Sequence, residues 1–116
     1  MTNQLPEGFE DLLPFVPQWV FSTERERNAF RVQQPMRDLK AFYDATLPRL
    51  DDIATHLDRY PLDAMPRAAA NLLELALMSM EVAPAIEYYN SPDVPNSVEF
   101  EKFEILSAPL RYQVVD

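Results

Sequence analysis

Apolar side chains recur every three or four residues from Met36 to Leu57, which is the spacing of one face of an α-helix. Charged residues occupy most of the intervening positions and form the opposite, hydrated face. Pro48 lies inside this stripe, and we expect it to bend or break the helix near Asp44, because proline cannot donate the backbone hydrogen bond of that turn. The pattern predicts one long amphipathic helix that is bent by proline.

A second pattern covers residues 67–83 and is apolar on nearly every side of the predicted helix. Only a narrow edge is polar, and it carries Glu74 and Glu81. A helix of this kind lies in the middle of a domain or in an oligomer interface. We therefore expect it to be the central element of the fold, with Pro84 kinking its end or starting a new turn.

Helix start signals and prolines define the N-terminal half. Thr23 and Glu26 form the T-x-x-E capping box of a first helix, and Pro35 either kinks that helix or opens the next one. Residues 1–21 are expected to be irregular, apart from a short helix over EGFEDLL. Because apolar side chains, including Trp19, are concentrated there, the segment is interpreted as a strap across the body; the alternative is an exposed partner-binding patch.

The C-terminal part of the chain has no single pattern. Residues 91–97 are a loop by composition, since they combine two prolines with polar residues. Residues 98–115 fit either a strand or a pair of helical turns, and their last part looks extended. We expect a C-terminal arm that is suited to packing on a neighbouring subunit.

Together these patterns predict a single, mostly α-helical domain over residues 1–116. The expected fold is a compact bundle of about three to four proline-kinked helices with an irregular N-terminal strap and an extended C-terminal tail. The helical core covers residues 22–90, and the loop and C-terminal arm cover residues 91–116. A chain of 116 residues is long enough to bury a hydrophobic core without disulfides or metals.

Composition excludes several classes of function. A formal charge of −9, from 19 acidic and 10 basic residues, disfavours nucleic acid and anionic membranes as partners. The single glycine rules out a phosphate-binding P-loop or dinucleotide fingerprint. The absence of cysteine rules out disulfides, zinc–thiolate sites and a cysteine nucleophile. Because no signal peptide or membrane span is recognisable, the expected location is the cytoplasm.

The two glutamates of the central helix are the first candidates for a ligand or interface site. Glu74 and Glu81 are about 10 Å apart along the helix axis, which is too far to share one metal ion or one proton. We expect both carboxylates to reach water along the helix edge. The alternative is a site in which one of them meets a polar group of another helix, with arginines of the long helix as the expected partners.

The other candidates are a histidine and three aromatic residues. His56 is the only histidine and shares a helix face with Asp52, but two ligands on one helix do not make a metal site. Tyr88 and Tyr89 are the most pocket-like aromatic pair, since their hydroxyls lie beside a predicted kink. Trp19 is the aromatic candidate of the strap. No catalytic residue, cofactor or metal is predicted.

Two functional hypotheses follow from the sequence. The preferred one is a non-enzymatic accessory or protein-interaction domain that forms a homo-oligomer, most simply a homodimer, or binds another protein. It depends on the all-round apolar character of the central helix and on the absence of a catalytic constellation. The second is a small helical ligand-binding protein or enzyme, in which an aromatic- and methionine-lined pocket takes a small apolar ligand.

Overall fold

A computed structural model describes residues 4–89 and 112–115. These residues form a mostly α-helical fold, which confirms the predicted fold class, and the described part contains one small parallel sheet. The α-helices are α1 (Val16–Trp19), α2 (Glu24–Gln33), α3 (Met36–Thr46), α4 (Leu50–Leu57) and α5 (Arg67–Pro84). The strands are β1 (Met65–Pro66) and β2 (Val114–Val115).

The N-terminal strap packs into the core and is more helical than the sequence predicts. Residues Glu10–Phe15 form a 3-10 helix that continues directly into α1. Trp19 stacks on Phe42 of α3, with ring centroids 4.3 Å apart, and its edge meets Phe30 of α2 at 4.8 Å. The short helix predicted over residues 7–13 overlaps the 3-10 helix, whereas α1, with four residues, carries too few turns to produce a visible 3.6-residue repeat.

The capping box predicted at the start of α2 is present. The Thr23 side chain accepts a hydrogen bond from the Glu26 backbone N–H, which satisfies one of the free donors of the first turn. The helix ends at Gln33, and Pro35 is the residue that precedes α3. Pro35 therefore opens the next helix, which is one of the two roles that the sequence allowed.

The predicted long helix is two α-helices, α3 and α4, separated by a short 3-10 segment, Leu47–Arg49. Pro48 lies in that segment, where the missing N–H interrupts the α-helical ladder. The apolar stripe continues across the break, since Leu39 and Ile53 are both buried in one cluster. A bend of the helix axes at the prolines stays a prediction.

Helix α5 lies at the centre, as predicted, and packs against α2, α3 and α4. Its last residue is Pro84, and the chain then continues as a π-helical turn, Ala85–Tyr89. By length and composition alone the stretch Arg67–Tyr88, with a mean hydropathy of 1.3, could cross a membrane. Core helices meet the same criterion, and 61% of this window is buried inside the fold.

The two strands join the C-terminal end of the chain to the start of α5. They run parallel, with Met65 opposite Val114. The Met65 N–H donates to the Gln113 carbonyl at 2.9 Å, and the Gln113 N–H donates to the Leu62 carbonyl at 2.6 Å. The end of the tail is therefore extended, as predicted, whereas the choice between helix and strand for residues 98–111 lies outside the described residues.

Two apolar clusters stabilise the fold. The larger one joins the strap, α3, α4 and α5 and includes Leu12, Phe42 and Leu75, none of which is exposed. The smaller one, around Met65 and Ala69, lies where the strands meet the start of α5. Burial of apolar area in both clusters supplies the main driving force for folding.

Candidate functional site

Two ion pairs are buried between α2 and α5. Arg27 Nη1 lies 2.8 Å from Glu74 Oε2, and Arg31 Nε lies 2.8 Å from Glu81 Oε2. All four side chains are at most 8% exposed. The expectation that both glutamates reach water is therefore wrong, and their partners belong to α2 rather than to the long helix. We refer to these four residues and Glu24 as the charge cluster.

The arginines of the cluster are placed by helical spacing and held by further acceptors. Arg27 and Arg31 are four residues apart, so they lie on one face of α2, one turn from each other. Arg27 Nη1 also donates to the Phe21 carbonyl at 3.0 Å, and Arg31 Nη2 donates to Asn28 Oδ1 at 2.7 Å. These acceptors matter because each unpaired N–H of a buried guanidinium costs free energy. Within the described part of the chain, the Nε of Arg27 is buried without a partner.

Glu74 holds three segments of the chain together. Its Oε2 accepts from Arg27 of α2, and its Oε1 accepts from the hydroxyl of Tyr112, which precedes β2. Burial raises the pKa of Glu74 from 4.5 to about 7, because the loss of hydration outweighs the opposing effect of Arg27. This carboxyl therefore titrates near neutral pH while it connects α2 and the C-terminal strand to α5.

Glu81 shares its surroundings with a second carboxyl. Burial, and then a hydrogen bond with Glu24, raises the pKa of Glu81 to about 8, against the lowering effect of Arg31. A hydrogen bond between two carboxyl groups requires one proton. The side chain of Glu24 is 38% exposed, so this end of the charge cluster reaches the protein surface.

The charge cluster lies at the contact between α2 and α5. Its five residues line neither of the two surface cavities found along the described chain. Among the described residues, no group of three acidic or histidine side chains is arranged to hold a metal ion. The geometry of the cluster is that of two carboxyl groups with raised pKa values, Glu74 and Glu81, packed against the arginines of α2.

His56 is a partly buried side chain of α4. Its ring lies edge-on to Phe9, with centroids 5.7 Å apart, and its Nε2 is buried without a partner in the part of the chain that the structure describes. Asp52 accepts a hydrogen bond from Arg49 at 3.3 Å. Burial, and then the charge of Arg59, lowers the pKa of His56. The imidazole is therefore neutral at pH 7 and packs against an aromatic ring.

Two surface cavities of the described chain have linings that mix polar and apolar side chains. One, of about 650 Å³, lies beside the C-terminal strand and is bordered by Ser22, Asp63 and Arg67. The other, of about 420 Å³, lies between the N-terminal segment and α4 and includes Arg49 and His56. Neither lining contains a methionine, and each contains one phenylalanine or tyrosine. These two linings therefore lack the cluster of aromatic and methionine side chains that the ligand-binding hypothesis expects.

The aromatic candidates occupy different environments and do not come together. Trp19 is 6% exposed and belongs to the larger core cluster. Tyr88 is 78% exposed on the π-helical turn that follows α5. The side chain of Tyr89, and with it the predicted tyrosine pair, lies outside the described residues.

Sequence reasoning did not identify Glu24, Arg27, Arg31 or Tyr112 as site residues. A signal for the arginines was present, because residues 27 and 31 share one face of a short amphipathic helix. Glu74 and Glu81 of the central helix were the acidic residues that could pair with that arginine face. No comparable signal pointed to Tyr112, since its contact spans 38 residues of sequence.

Comparisons with known proteins add no family and no relative. No protein-family model, curated protein or solved structure matches the chain. Function is therefore inferred from the geometry of the molecule itself.

Proposed function

We propose that the chain is a non-enzymatic protein-interaction domain that forms a homodimer through the outer face of α5. The observation that carries the proposal is the exposure of Met80, which is 60% accessible on a helix whose other faces are largely buried. We define the outer stripe as Leu73, Leu77, Met80, Pro84 and Tyr88.

The spacing of the outer stripe supports helix pairing. Its members are separated by four, three, four and four residues, which keeps the positions in α5 on one side of the helix. Leu77 and Met80 belong to neither of the two core clusters. Tyr88, at the end of the stripe, lies on the π-helical turn and is 78% exposed. Met80 and Tyr88 are thus the exposed side chains of this face, whereas Leu73 also packs against the smaller core cluster.

Charge favours a second copy of the chain as that partner. Two molecules that each carry a formal charge of −9 repel one another over most of their surfaces. The stripe contains no ionisable group from residue 73 to 84 that faces outward, because Glu74 and Glu81 turn inward to the arginines of α2. Two identical uncharged stripes related by a two-fold axis can therefore meet with little repulsion.

The test compares Met80→Glu with Leu47→Glu by native mass spectrometry and size-exclusion chromatography with light scattering. Leu47 is the matched control because it is a similarly exposed apolar residue, at 45%, that follows α3 and is not a member of the stripe. Two Met80 side chains that leave an interface cost about 3 kcal/mol, roughly a hundredfold in Kd, before the repulsion of the new carboxylates is counted. We expect the wild type and the control to be dimers and Met80→Glu to be a folded monomer.

Other outcomes would overturn the proposal. A wild-type monomer at all concentrations, or a Met80→Glu dimer of unchanged affinity, excludes the outer stripe as a self-association surface. A wild-type monomer that carries a reproducible small-molecule adduct would instead favour the ligand-binding hypothesis. Circular dichroism of each variant verifies that the helices are intact.

A further inference from the structure

The C-terminal strand occupies a groove beside the start of α5, where Leu73 of the outer stripe also packs. Tyr112 and Val114 pack against the smaller core cluster around Met65. Two backbone hydrogen bonds flank the strand pair, and the Tyr112 hydroxyl donates to Glu74 at the inner end of the groove. A strand so short is held by few contacts, and Val115 beyond them is 46% exposed.

The connection to this strand is long compared with the molecule. Parallel strands need a crossover connection, which here consists of α5, the π-helical turn and residues 90–111. The 22 residues from 90 to 111 can span about 70 Å when extended. The described part of the molecule measures 39 Å along its longest axis. The same connection that reaches the groove of its own chain can therefore reach the groove of an adjacent copy.

We propose that residues 112–115 are exchanged between the two copies of the homodimer, so that the strand of each copy occupies the groove beside β1 of the other. The inference rests on the proposed self-association and adds a second contact to it. In the exchanged dimer the strand makes the same contacts with Leu62, Met65 and Glu74 as it does within one chain. The exchange therefore requires no new complementary surface between the two copies. Once the outer stripes hold two copies together, each groove meets a second strand at high effective concentration.

The chain has no cysteine, so engineered thiols report on the exchange directly. Met65 and Val114 are opposite each other in the sheet, and neighbouring strands are about 4.8 Å apart, within the range that a disulfide bridges. Met65→Cys and Val114→Cys chains are mixed, refolded together from urea and oxidised. A disulfide between residues 65 and 114 can then form only between two different chains.

If the strand is exchanged, a non-reducing gel should show a covalent heterodimer, and this band should disappear on reduction. Peptide mass spectrometry should identify the linkage between residues 65 and 114. The matched control mixes Met65→Cys with Lys40→Cys, which places the second thiol on the exposed face of α3. The double variant Met65→Cys/Val114→Cys, oxidised at low concentration, shows that the two thiols react when they are paired within one chain.

The outcomes separate this inference from the proposed function. A non-covalent wild-type dimer whose mixed variants give no 65–114 disulfide, while the double variant closes within one chain, overturns strand exchange and leaves the outer stripe as the interface. A wild-type monomer overturns the self-association itself. A heterodimer with the Lys40→Cys control in equal yield would show random collision and would also overturn the exchange.

Discussion

Removing the cation of the buried Arg27–Glu74 pair should lower the free energy of unfolding, and we expect this loss to increase with pH. In Arg27→Met the new side chain keeps much of the apolar stem of arginine, but no cation balances Glu74, whose side chain is 4% exposed. A buried charge that has lost its partner costs about 3–5 kcal/mol. Glu74 avoids this cost only by keeping its proton, and the free energy of that protonation depends on pH.

The magnitude follows from the pKa of Glu74, which is about 7 with Arg27 in place and rises without it, because Arg27 lowers it. At pH 5.5 the carboxyl is protonated in both proteins, so only lost hydrogen bonds remain, about 1 kcal/mol. Above pH 7 the wild-type carboxyl ionises while that of the variant stays protonated, which costs about 1.4 kcal/mol per pH unit. The expected total loss is therefore about 4 kcal/mol at pH 9.

The assay is urea unfolding at pH 5.5 and pH 9, followed by the fluorescence of Trp19, the single tryptophan, which is stacked in the core. Arg25→Met is the matched control, since Arg25 lies on the same helix but is exposed, and its change should be below about 0.5 kcal/mol. In a Glu74→Gln background, Arg27→Met should cause the same loss at both pH values, because the carboxyl whose ionisation distinguishes the two proteins is gone. Equal losses at the two pH values would refute the reasoning.

Two further expectations concern the unmodified chain and its only glycine. Between about pH 4.5 and pH 8 the folded protein holds protons on Glu74 and Glu81 that the unfolded chain has released, so their contribution to stability is complete below pH 4.5 and decreases as pH rises through their folded pKa values. The double variant Glu74→Gln/Glu81→Gln should therefore show a flatter dependence of the free energy of unfolding on pH in this range. An unchanged slope would contradict the assignment. Gly8 has a φ of 100°, and no atom lies within 4 Å of a Cβ added there. Gly8→Ala should therefore lower the free energy of unfolding by about 1 kcal/mol from backbone conformation alone. A neutral result in urea unfolding would show that the turn relaxes.

Much of the helical architecture could be predicted because periodicity is a local property. The capping box at Thr23, the apolar stripe of α3 and α4 and the all-round apolar character of α5 are each visible within a few turns of sequence. Residues 10–19 were more helical than expected because short 3-10 and α-helical turns depend on the core that they cover. The ring stack between Trp19 and Phe42 is such a tertiary contact.

The charge cluster could be predicted only in part, because hydrophobic patterning does not distinguish a polar edge that faces water from one that faces a charged partner. Glu74 and Glu81 were correctly recognised as the polar edge of α5. Their burial depends on Arg27 and Arg31, which are 47 and 50 residues away in sequence. Local spacing contains no information on which helix arrives at that edge.

The position of α2 on α5 illustrates why these polar contacts matter in a helix that is otherwise apolar. An apolar surface packs against many neighbours with similar free energy, and it specifies neither rotation nor register well. The ion pairs are geometrically selective: residues 27 and 31 meet residues 74 and 81, and a shift of α2 by one turn would leave buried charges unpaired. Because unpaired charges in a core cost several kcal/mol, alternative placements of α2 are strongly disfavoured. The same selectivity turns both glutamates inward, which leaves an uncharged stripe on the outside of α5, the surface that we propose contacts a second copy of the chain.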